Sequence, residues 1–401
     1  MTKIYFLINS LGGGGAENVL IRLKDFIKPS KIFLLEKEIK YPIENSLIEY
    51  VSNHTKKTNP LIKTFSIPFY ALNLSKKITK NDIVLSFLWR ANFVNCFLKF
   101  IINHKAIISI HNDPISSFKG LKKLNKLLIK ILYKKADKIV AVSKGVAENL
   151  KNLGISSQKI QIIYNPISIK DIEEKLKEEI DEIFINKDFI INIGRLIKQK
   201  GQWYLLRIFK EIKKEFPELK LLILGEGELK RYLVEFSKNL GFKTFVWDQD
   251  KISEKFDVFF LGFQDNPFKF ISKAKFFILS SLWEGFGNVI IETLACETPI
   301  IASDCKSGPR EILSPDTDFK FQTKEPEFAK YGILMPVFDG QLKKINDPLT
   351  KEEKIWIDTL LKVLKNDDIL NKYRLKCKER VKDFYIENII KDWNDLFNEF
   401  K

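Results

Sequence analysis

Phe189-Ile190-Ile191-Asn192-Ile193-Gly194-Arg195-Leu196-Ile197-Lys198-Gln199-Lys200-Gly201 is the stretch on which the fold turns. Its first five residues form a short, nearly continuous apolar run, as in a strand buried on both faces. Gly194 permits a tight turn at the strand end. A helix-like segment follows, and strand–turn–helix is the building unit of a parallel α/β sheet. In such sheets ligands bind beyond the carboxyl ends of the strands. Arg195 and Lys200 lie in that position and can converge on one diphosphate, each charge-assisted hydrogen bond contributing roughly 1.5–3 kcal/mol. Taken alone the two residues read as solvated loop cations, and a second segment downstream shifts that balance.

The rhythm extends in both directions. Strand-like runs at 4–8, 31–35, 83–87, 106–110 and 138–142 alternate with helical stretches up to Tyr164-Asn165-Pro166. Residues 171–182 are charged and read as a connection or an exposed helix. After residue 189 the alternation resumes through 221–224, 258–261, 276–279 and 299–302. The end is helical, at roughly 351–364, 368–384 and 387–397. Segments 244–255 and part of 306–330 read as loop insertions. The predicted fold class is α/β, with two tandem Rossmann-like doubly wound domains and a cleft between them. The expected domains are 1–167 and 168–385, and a last helix, about 386–401, is free to pack back on the first.

Trp283-Glu284-Gly285-Phe286-Gly287-Asn288-Val289-Ile290-Ile291-Glu292 is the second telling stretch. Two carboxylates stand with seven residues between them. The Gly-Phe-Gly turn aims backbone N–H groups at a helix start, which favours an anion. Glu292 falls among Val289, Ile290, Ile291, Leu294 and Ala295, where a carboxylate needs hydrogen bonds, and a ribose diol offers two donors. An isolated pair of this kind more often caps a helix or sits on a solvated face. Together with Gly194–Gly201 it points to a sugar nucleotide.

Smaller signals surround these. Gly12-Gly13-Gly14-Gly15 precedes Ala16-Glu17 at a helix start. Such glycines allow close backbone approach to a phosphate or form a strand-to-helix turn. The spacing does not match G-x-G-x-x-G, because position 17 is Glu, which disfavours a nicotinamide cofactor. His111 follows a strand and precedes Asn112-Asp113-Pro114, a turn. Gly225-Glu226-Gly227-Glu228 and Leu261-Gly262-Phe263 also follow strands. Arg90 and Asn92 follow another.

Net charge is +16, and it is unevenly spread. Residues 1–166 carry 27 Lys+Arg against 10 Asp+Glu, and the remainder is nearly balanced at 40 against 41. This favours an anionic partner for the first half, a membrane surface or a phospholipid-linked acceptor. Nucleic acid is disfavoured, since lysine outnumbers arginine and no aromatic-basic recognition motif is present. Residues 119–135 place Leu121, Leu124, Leu127, Leu128, Ile131 and Leu132 on one helical face, decorated by seven lysines from Lys119 to Lys135. That face either packs on the sheet or lies on anionic lipid. The four cysteines and three histidines form no ligand pattern, so neither a metal site nor a disulfide framework is expected. No run is long enough to span a bilayer, and residues 4–8 are too short for a signal-peptide core. The expected location is cytoplasmic, peripheral on the inner face of the membrane.

Gly194–Gly201 and residues 279–296 resemble the family 4 glycosyltransferases, which have the two-domain B fold. Ser10–Glu17, 110–113 and 142–145 are similar to that family's Gly-Gly-Ala-Glu, histidine and Val-Ser-Lys-Gly segments. Segments 261–268 and 306–312 look like bacterial enzymes extending lipid-linked glycans, N-acetylgalactosamine transferases among them. The resemblance implies a retaining transferase with a nucleotide sugar, expected to be a UDP-sugar, as donor and a lipid-linked glycan as acceptor, without a metal or other cofactor. It implies that Arg195 and Lys200 clamp the diphosphate and that Glu292 holds the ribose. Glu284 would contact the sugar, and the Phe286, Gly287, Asn288 and Val289 backbone the donor and its phosphates. Gly14, Gly15, Gly225, Gly262 and Phe263 would approach the donor through main chain. His111 would support the transition state, with Asn112 standing where the family often has Asp. Glu17, Arg90 and Asn92 are the candidate acceptor contacts. The alternatives are a sugar-nucleotide epimerase on the same fold, disfavoured in a histidine-poor chain, and a basic nucleic-acid binder.

Overall fold

The computed structural model describes residues 2–112, 122–185 and 188–400, with the side chains of 122–126 excepted. The chain divides into two compact units, Met1–Ile167 with Phe384–Lys401, and Ser168–Asp383.

Unit 1 is built on a parallel sheet of seven strands among the described residues: β1 (Ile4–Ile8), β2 (Lys31–Leu34), β3 (Ile48–Tyr50), β4 (Ile83–Phe87), β5 (Lys105–Ile110), β6 (Lys138–Ala141) and β7 (Ile160–Ile162). The order is β3-β2-β1-β4-β5-β6-β7, so the sheet reverses its winding between β1 and β4. Its helices are α1 (Gly15–Ile27), α2 (Pro60–Phe65), α3 (Ile67–Ser75), α4 (Trp89–Ile102), α5 (Lys122–Leu132) and α6 (Lys144–Asn152). The central strand β4 is buried throughout, which is why four of its five residues are apolar, Ser86 being the exception.

Unit 2 repeats the plan with β8 (Phe189–Ile193), β9 (Lys220–Leu224), β10 (Thr244–Val246), β11 (Val258–Gly262), β12 (Phe277–Leu279), β13 (Ile300–Ser303), β14 (Glu327–Phe328) and β15 (Ile333–Met335). The order is β10-β11-β9-β8-β12-β13-β15-β14, parallel except for the β14–β15 edge pair. The winding reverses between β8 and β12. Helices α7 (Ile169–Lys175), α8 (Gln202–Glu215), α9 (Lys230–Asn239), α10 (Phe268–Ile271), α11 (Asn288–Ala295), α12 (Pro309–Leu313), α13 (Lys351–Leu364) and α14 (Asp367–Val381) surround the sheet.

The last helix, α15 (Ile386–Asn398), returns to unit 1. Ile386, Ile389, Trp393, Leu396 and Phe397 join Val19, Leu20 and Leu23 of α1 in that unit's core. The return is pinned by Ile167, whose N–H donates to the Phe384 carbonyl and whose carbonyl accepts from the Ile386 N–H.

One expectation is corrected. Residues 244–255 do not form a loop throughout, because Thr244–Val246 is the edge strand of the second sheet. Segment 306–330, expected to be loop in part, carries α12 and the strand β14 with irregular chain between them. In α5 the apolar stripe is not uniformly packed: Leu127 and Ile131 are exposed, whereas Ile129 is buried. Asp113, Pro114, residues 119–121 and the side chains of 122–126 lie outside the described residues.

Candidate active site

In unit 2 the two segments singled out by sequence follow β8 and β12, the neighbouring strands at the winding reversal. That is where doubly wound sheets open a crevice. The turn after β8 is held tightly. Gly194 N–H donates to the Leu224 carbonyl at 3.0 Å, and Leu196 N–H to Glu226 at 2.9 Å. Two glycines are sterically required beside it. A Cβ on Gly225 (φ +135°) would lie 2.1 Å from the Gly194 carbonyl oxygen, and one on Gly227 2.3 Å from that of Leu196. Gly201 (φ +62°) then starts α8, its Cβ position 2.5 Å from the Ser280 carbonyl oxygen.

These close approaches seat the basic loop on the acidic one. Lys200 Nζ lies 2.5 Å from Glu284 Oε1. The same oxygen accepts from Ser281 Oγ at 2.6 Å, and Oε2 from Gln199 Nε2 at 3.3 Å. Gln199 Nε2 also donates to the Trp283 carbonyl at 2.8 Å, and Ser280 Oγ to that of Lys200 at 2.8 Å. Glu284 is buried, so its charge needs these partners. Arg195, five residues earlier, is exposed.

Gly287, in the left-handed region at φ +88°, starts α11 without a side-chain cap. A helix start of this kind favours an anion through its first-turn N–H groups, and here the Ile290 N–H already donates to the Gly287 carbonyl at 2.8 Å. Gly308 approaches this turn so closely that a Cβ there would fall 1.9 Å from the Phe286 carbonyl oxygen. Val289 and Phe286 are buried, and Glu292 is half-buried rather than enclosed by its apolar neighbours. At the far side, Gly225 N–H donates to the Gly262 carbonyl at 2.7 Å, which ties the ends of β9 and β11. Phe263, next in the chain, is exposed.

Unit 1 carries a second group of polar residues, again beyond the winding reversal. Gly14 caps α1, and the Glu17 carboxylate folds back over it, 2.4 Å from where a Gly14 Cβ would be. Asn9 Oδ1 accepts from Ala91 N–H at 3.1 Å, which joins the loop after β1 to that after β4. Leu88, at φ +69°, turns sharply between β4 and α4 and sets Trp89 and Arg90 in place. Arg90 lies over the Trp89 ring and pairs with buried Glu36, whose other oxygen accepts from Lys63 Nζ at 2.5 Å. His111 Nε2 is 2.9 Å from Ser109 Oγ, its ring is beside Phe87, and Nδ1 is buried without a partner among the described residues. Burial pushes the His111 pKa down to about 3, so the imidazole is neutral at physiological pH.

Residues 14–171 match the Glycosyltransferase Family 4 model, and residues 173–331 match Glycosyl transferases group 1. The chain is 32% identical over 404 residues, covering 98% of both sequences, to the N-acetylgalactosamine-N,N'-diacetylbacillosaminyl-diphospho-undecaprenol 4-alpha-N-acetylgalactosaminyltransferase of Campylobacter jejuni. The chain belongs to the family 4 glycosyltransferases. It is also 36% identical to an uncharacterised glycosyltransferase of Methanocaldococcus jannaschii, over 85% of this chain and 86% of that one. Among solved structures, Anabaena HepE in complex with UDP and glucose superposes with a TM-score of 0.73 at 15% identity, over 99% of this chain and 100% of that one. The shared architecture is the two-domain glycosyltransferase B fold.

Within this glycosyltransferase, Lys200, Glu284, Phe286 and Gly287 lie on the linked loops after β8 and β12, Asn288 and Val289 open α11, and Gly225 and Gly262 meet at the next strand ends. Asn92 is a correction. It is buried and engaged in the core, where Oδ1 accepts from Ser86 Oγ at 2.8 Å and Nδ2 donates to the Ser109 carbonyl at 3.0 Å. It therefore braces β4 against β5 instead of facing an acceptor. Sequence reasoning missed Gln199 and Ser281, the second and third partners of Glu284. Both lie inside or beside the segments already singled out, but neither residue type signals a role without the carboxylate's position. It also missed Glu36 and Lys63, which Arg90 meets only in three dimensions.

Proposed function

We propose that this glycosyltransferase moves a sugar, an N-acetylhexosamine or a hexose, from a UDP-sugar to a lipid-linked or surface glycan at the cytoplasmic membrane face, with retention of anomeric configuration. The observation that carries the reading is the part-buried Lys200–Glu284 contact between two glycine-shaped loops, next to the start of α11, which has no side-chain cap. On this reading the donor diphosphate meets Lys200, Arg195 and the N–H groups of residues 288 and 289. These supply fixed positive charge for the departing nucleotide diphosphate, with no metal needed for that task. Glu284 releases part of its contact with Lys200 and accepts from the donor-sugar hydroxyls. Glu292, half-open on α11, receives the ribose diol.

The acceptor hydroxyl attacks the anomeric carbon on the face from which the diphosphate departs. The new C–O bond forms, the bond to the phosphate oxygen breaks, and the hydroxyl proton passes to that oxygen. Glu284 thus acts on the donor as a hydrogen-bond acceptor and forms no glycosyl intermediate, unlike the carboxylate of a retaining glycosidase. Neutral His111, in unit 1, is suited to hydrogen-bond a sugar hydroxyl without adding charge. The support for a lipid-linked acceptor is the name of the Campylobacter relative together with the basic excess of the first 166 residues.

Thermal shift with a panel of nucleotide sugars, followed by mass spectrometry of products formed on a short-chain prenyl-diphosphate glycan, tests the proposal. We expect UDP-sugars to raise the melting temperature of the native chain. Glu292→Ala should weaken that shift, and Glu284→Ala should abolish turnover by about 100-fold or more. Absence of any nucleotide-sugar shift, or unimpaired transfer in both variants, would overturn it.

A further inference from the structure

Helices α2 and α3 are nearly continuous. Ser66, between them, has helical dihedrals, donates its N–H to the Ile62 carbonyl and accepts from the Tyr70 N–H, both at 3.0 Å. The α3 helix lies against α4 and buries Ile67, Tyr70, Ala71 and Leu74, the i, i+3, i+4, i+7 set of a packed face. A second apolar set points away from the core. Ile62, Phe65, Phe69 and Leu72, spaced three, four and three residues apart, form a stripe, with Leu61 beside its start. Phe65 is 78% exposed and Phe69 67%. Scattered exposed hydrophobes are normal, but a helical stripe of them, led by two phenylalanines, marks an interaction surface.

The surrounding charge identifies what covers it. From residue 55 to 81 there are six lysines and no acidic residue. Lys63 is consumed internally by Glu36, and Lys77 pairs with Glu49. Lys56, in a loose 3.8 Å ion pair with Glu38, and Lys57 stand exposed before the stripe, and Lys76 and Lys80 after it. Between Lys63 and Lys76 no charged residue interrupts the apolar surface. An uncharged apolar ridge with cationic ends complements an anionic bilayer, whose headgroups take the lysines while the acyl boundary takes the rings. The length agrees. Twelve helical residues span about 18 Å, enough to lie in the interface and too little to cross it. Phe100 and Ile101 at the end of α4, the helix against which α3 packs, are exposed as well.

We propose that the α2–α3 ridge is a membrane-insertion element, with Phe65 and Phe69 entering the acyl boundary of an anionic leaflet and Lys56, Lys57, Lys76 and Lys80 contacting its headgroups. The inference rests on the membrane-facing reading above and assigns it to a specific surface. It differs from attachment by the lysines of α5 alone, because apolar insertion leaves binding that salt does not remove.

The test is co-sedimentation of the full chain with vesicles of mixed phosphatidylglycerol and phosphatidylcholine, and of phosphatidylcholine alone, at low and high salt. Transfer to a detergent-soluble short-chain acceptor and light scattering are measured in parallel. We expect the native chain to bind the anionic vesicles and to retain part of that binding at high salt. F65S/F69S should lower vesicle affinity by about tenfold or more, mostly in the salt-resistant part, with transfer in detergent unchanged. Undiminished vesicle binding by F65S/F69S would overturn the proposal. So would a native dimer that the variant dissociates without change in vesicle binding, since the ridge would then be a self-interface. Vesicle binding lost in the variant, with no transfer even by the native chain, would leave the insertion element standing and remove the glycan-transfer reading instead.

Discussion

Lys200 and buried Glu284 form a part-buried pair whose partners come from loops 84 residues apart. Such a pair contributes modestly to stability, because desolvating both charges opposes their attraction, and it holds a cation in place before the ligand arrives. The individual residues were legible from sequence, since a strand-end Gly-Arg…Lys-Gly and a Glu-x7-Glu carry their chemistry openly. Their mutual contact was not, because it depends on Gly201 approaching Ser280 and on the two strands being neighbours. His104 shows the other limit. It is fully buried beside Asn95, with Nε2 2.7 Å from Asn95 Oδ1. Burial, and then the Lys99 ammonium, push its pKa down to about 4 from an ordinary 6.5. The unfolded chain therefore binds the proton more readily than the folded one. The stabilisation is whole above pH 6.5 and is lost as the pH falls towards 4, by about 1.4 kcal/mol per pH unit and about 3 kcal/mol in all. Denaturant melts of native protein and His104→Gln between pH 7.5 and 4.5 check this. The variant should have the shallower pH dependence of the two, whatever its stability at neutral pH, and equal slopes would exclude this role for His104.

At the scale of elements, the joint between α8 and α13 shows how a capping motif becomes tertiary structure. Thr350 Oγ1 accepts from the Glu353 N–H at 3.2 Å, and Glu353 Oε2 from the Thr350 N–H at 2.8 Å. The same carboxylate accepts from Arg207 Nε at 2.6 Å, while the rest of that guanidinium donates to the carbonyls of Lys344, Asp347 and Pro348. Glu353→Gln keeps the acceptor for the cap and removes the charge opposite a buried arginine. We expect a loss of about 3–5 kcal/mol by chemical denaturation, well above the ~1 kcal/mol of a cap alone. A loss under 1 kcal/mol would mean that the carbonyls suffice for Arg207. The elements themselves were legible unevenly. Strands such as β1, β4 and β8, largely covered on both faces, are almost wholly apolar and stand out, with Ser86 and Asn192 the single polar residues of β4 and β8. The strands β3 (Ile48-Glu49-Tyr50) and β7 (Ile160-Gln161-Ile162) are short edge strands that carry a polar residue in the middle. Nothing local distinguishes them from loop, because their pairing depends on the neighbouring strand. The same holds for Thr244–Val246, whose charged continuation masked it.

Taken whole, the molecule is two cores joined by a chain that leaves unit 1 at Ile167 and returns at Phe384. The return matters energetically. Ile386, Ile389, Trp393, Leu396 and Phe397 are all buried in the unit 1 core, and at about 1.5–3 kcal/mol each they supply roughly 7–15 kcal/mol of burial. That equals or exceeds the ~5–15 kcal/mol net stability of an ordinary domain. Unit 2 contains its own closed core, from Ile190 to Tyr373, and none of those five side chains belongs to it. A chain ended at Asp383 should therefore lose the cooperative fold of unit 1 and keep that of unit 2. In limited proteolysis we expect residues before about 168 to be cut rapidly and a fragment of unit 2 to survive, with its melting temperature still raised by UDP. If the truncated chain instead melts as the native one does, α15 is dispensable to the first core. If unit 2 unfolds with unit 1, the two cores are coupled more tightly than their separate packing implies. The truncation thus measures whether donor binding resides in one core while the return helix supports the other.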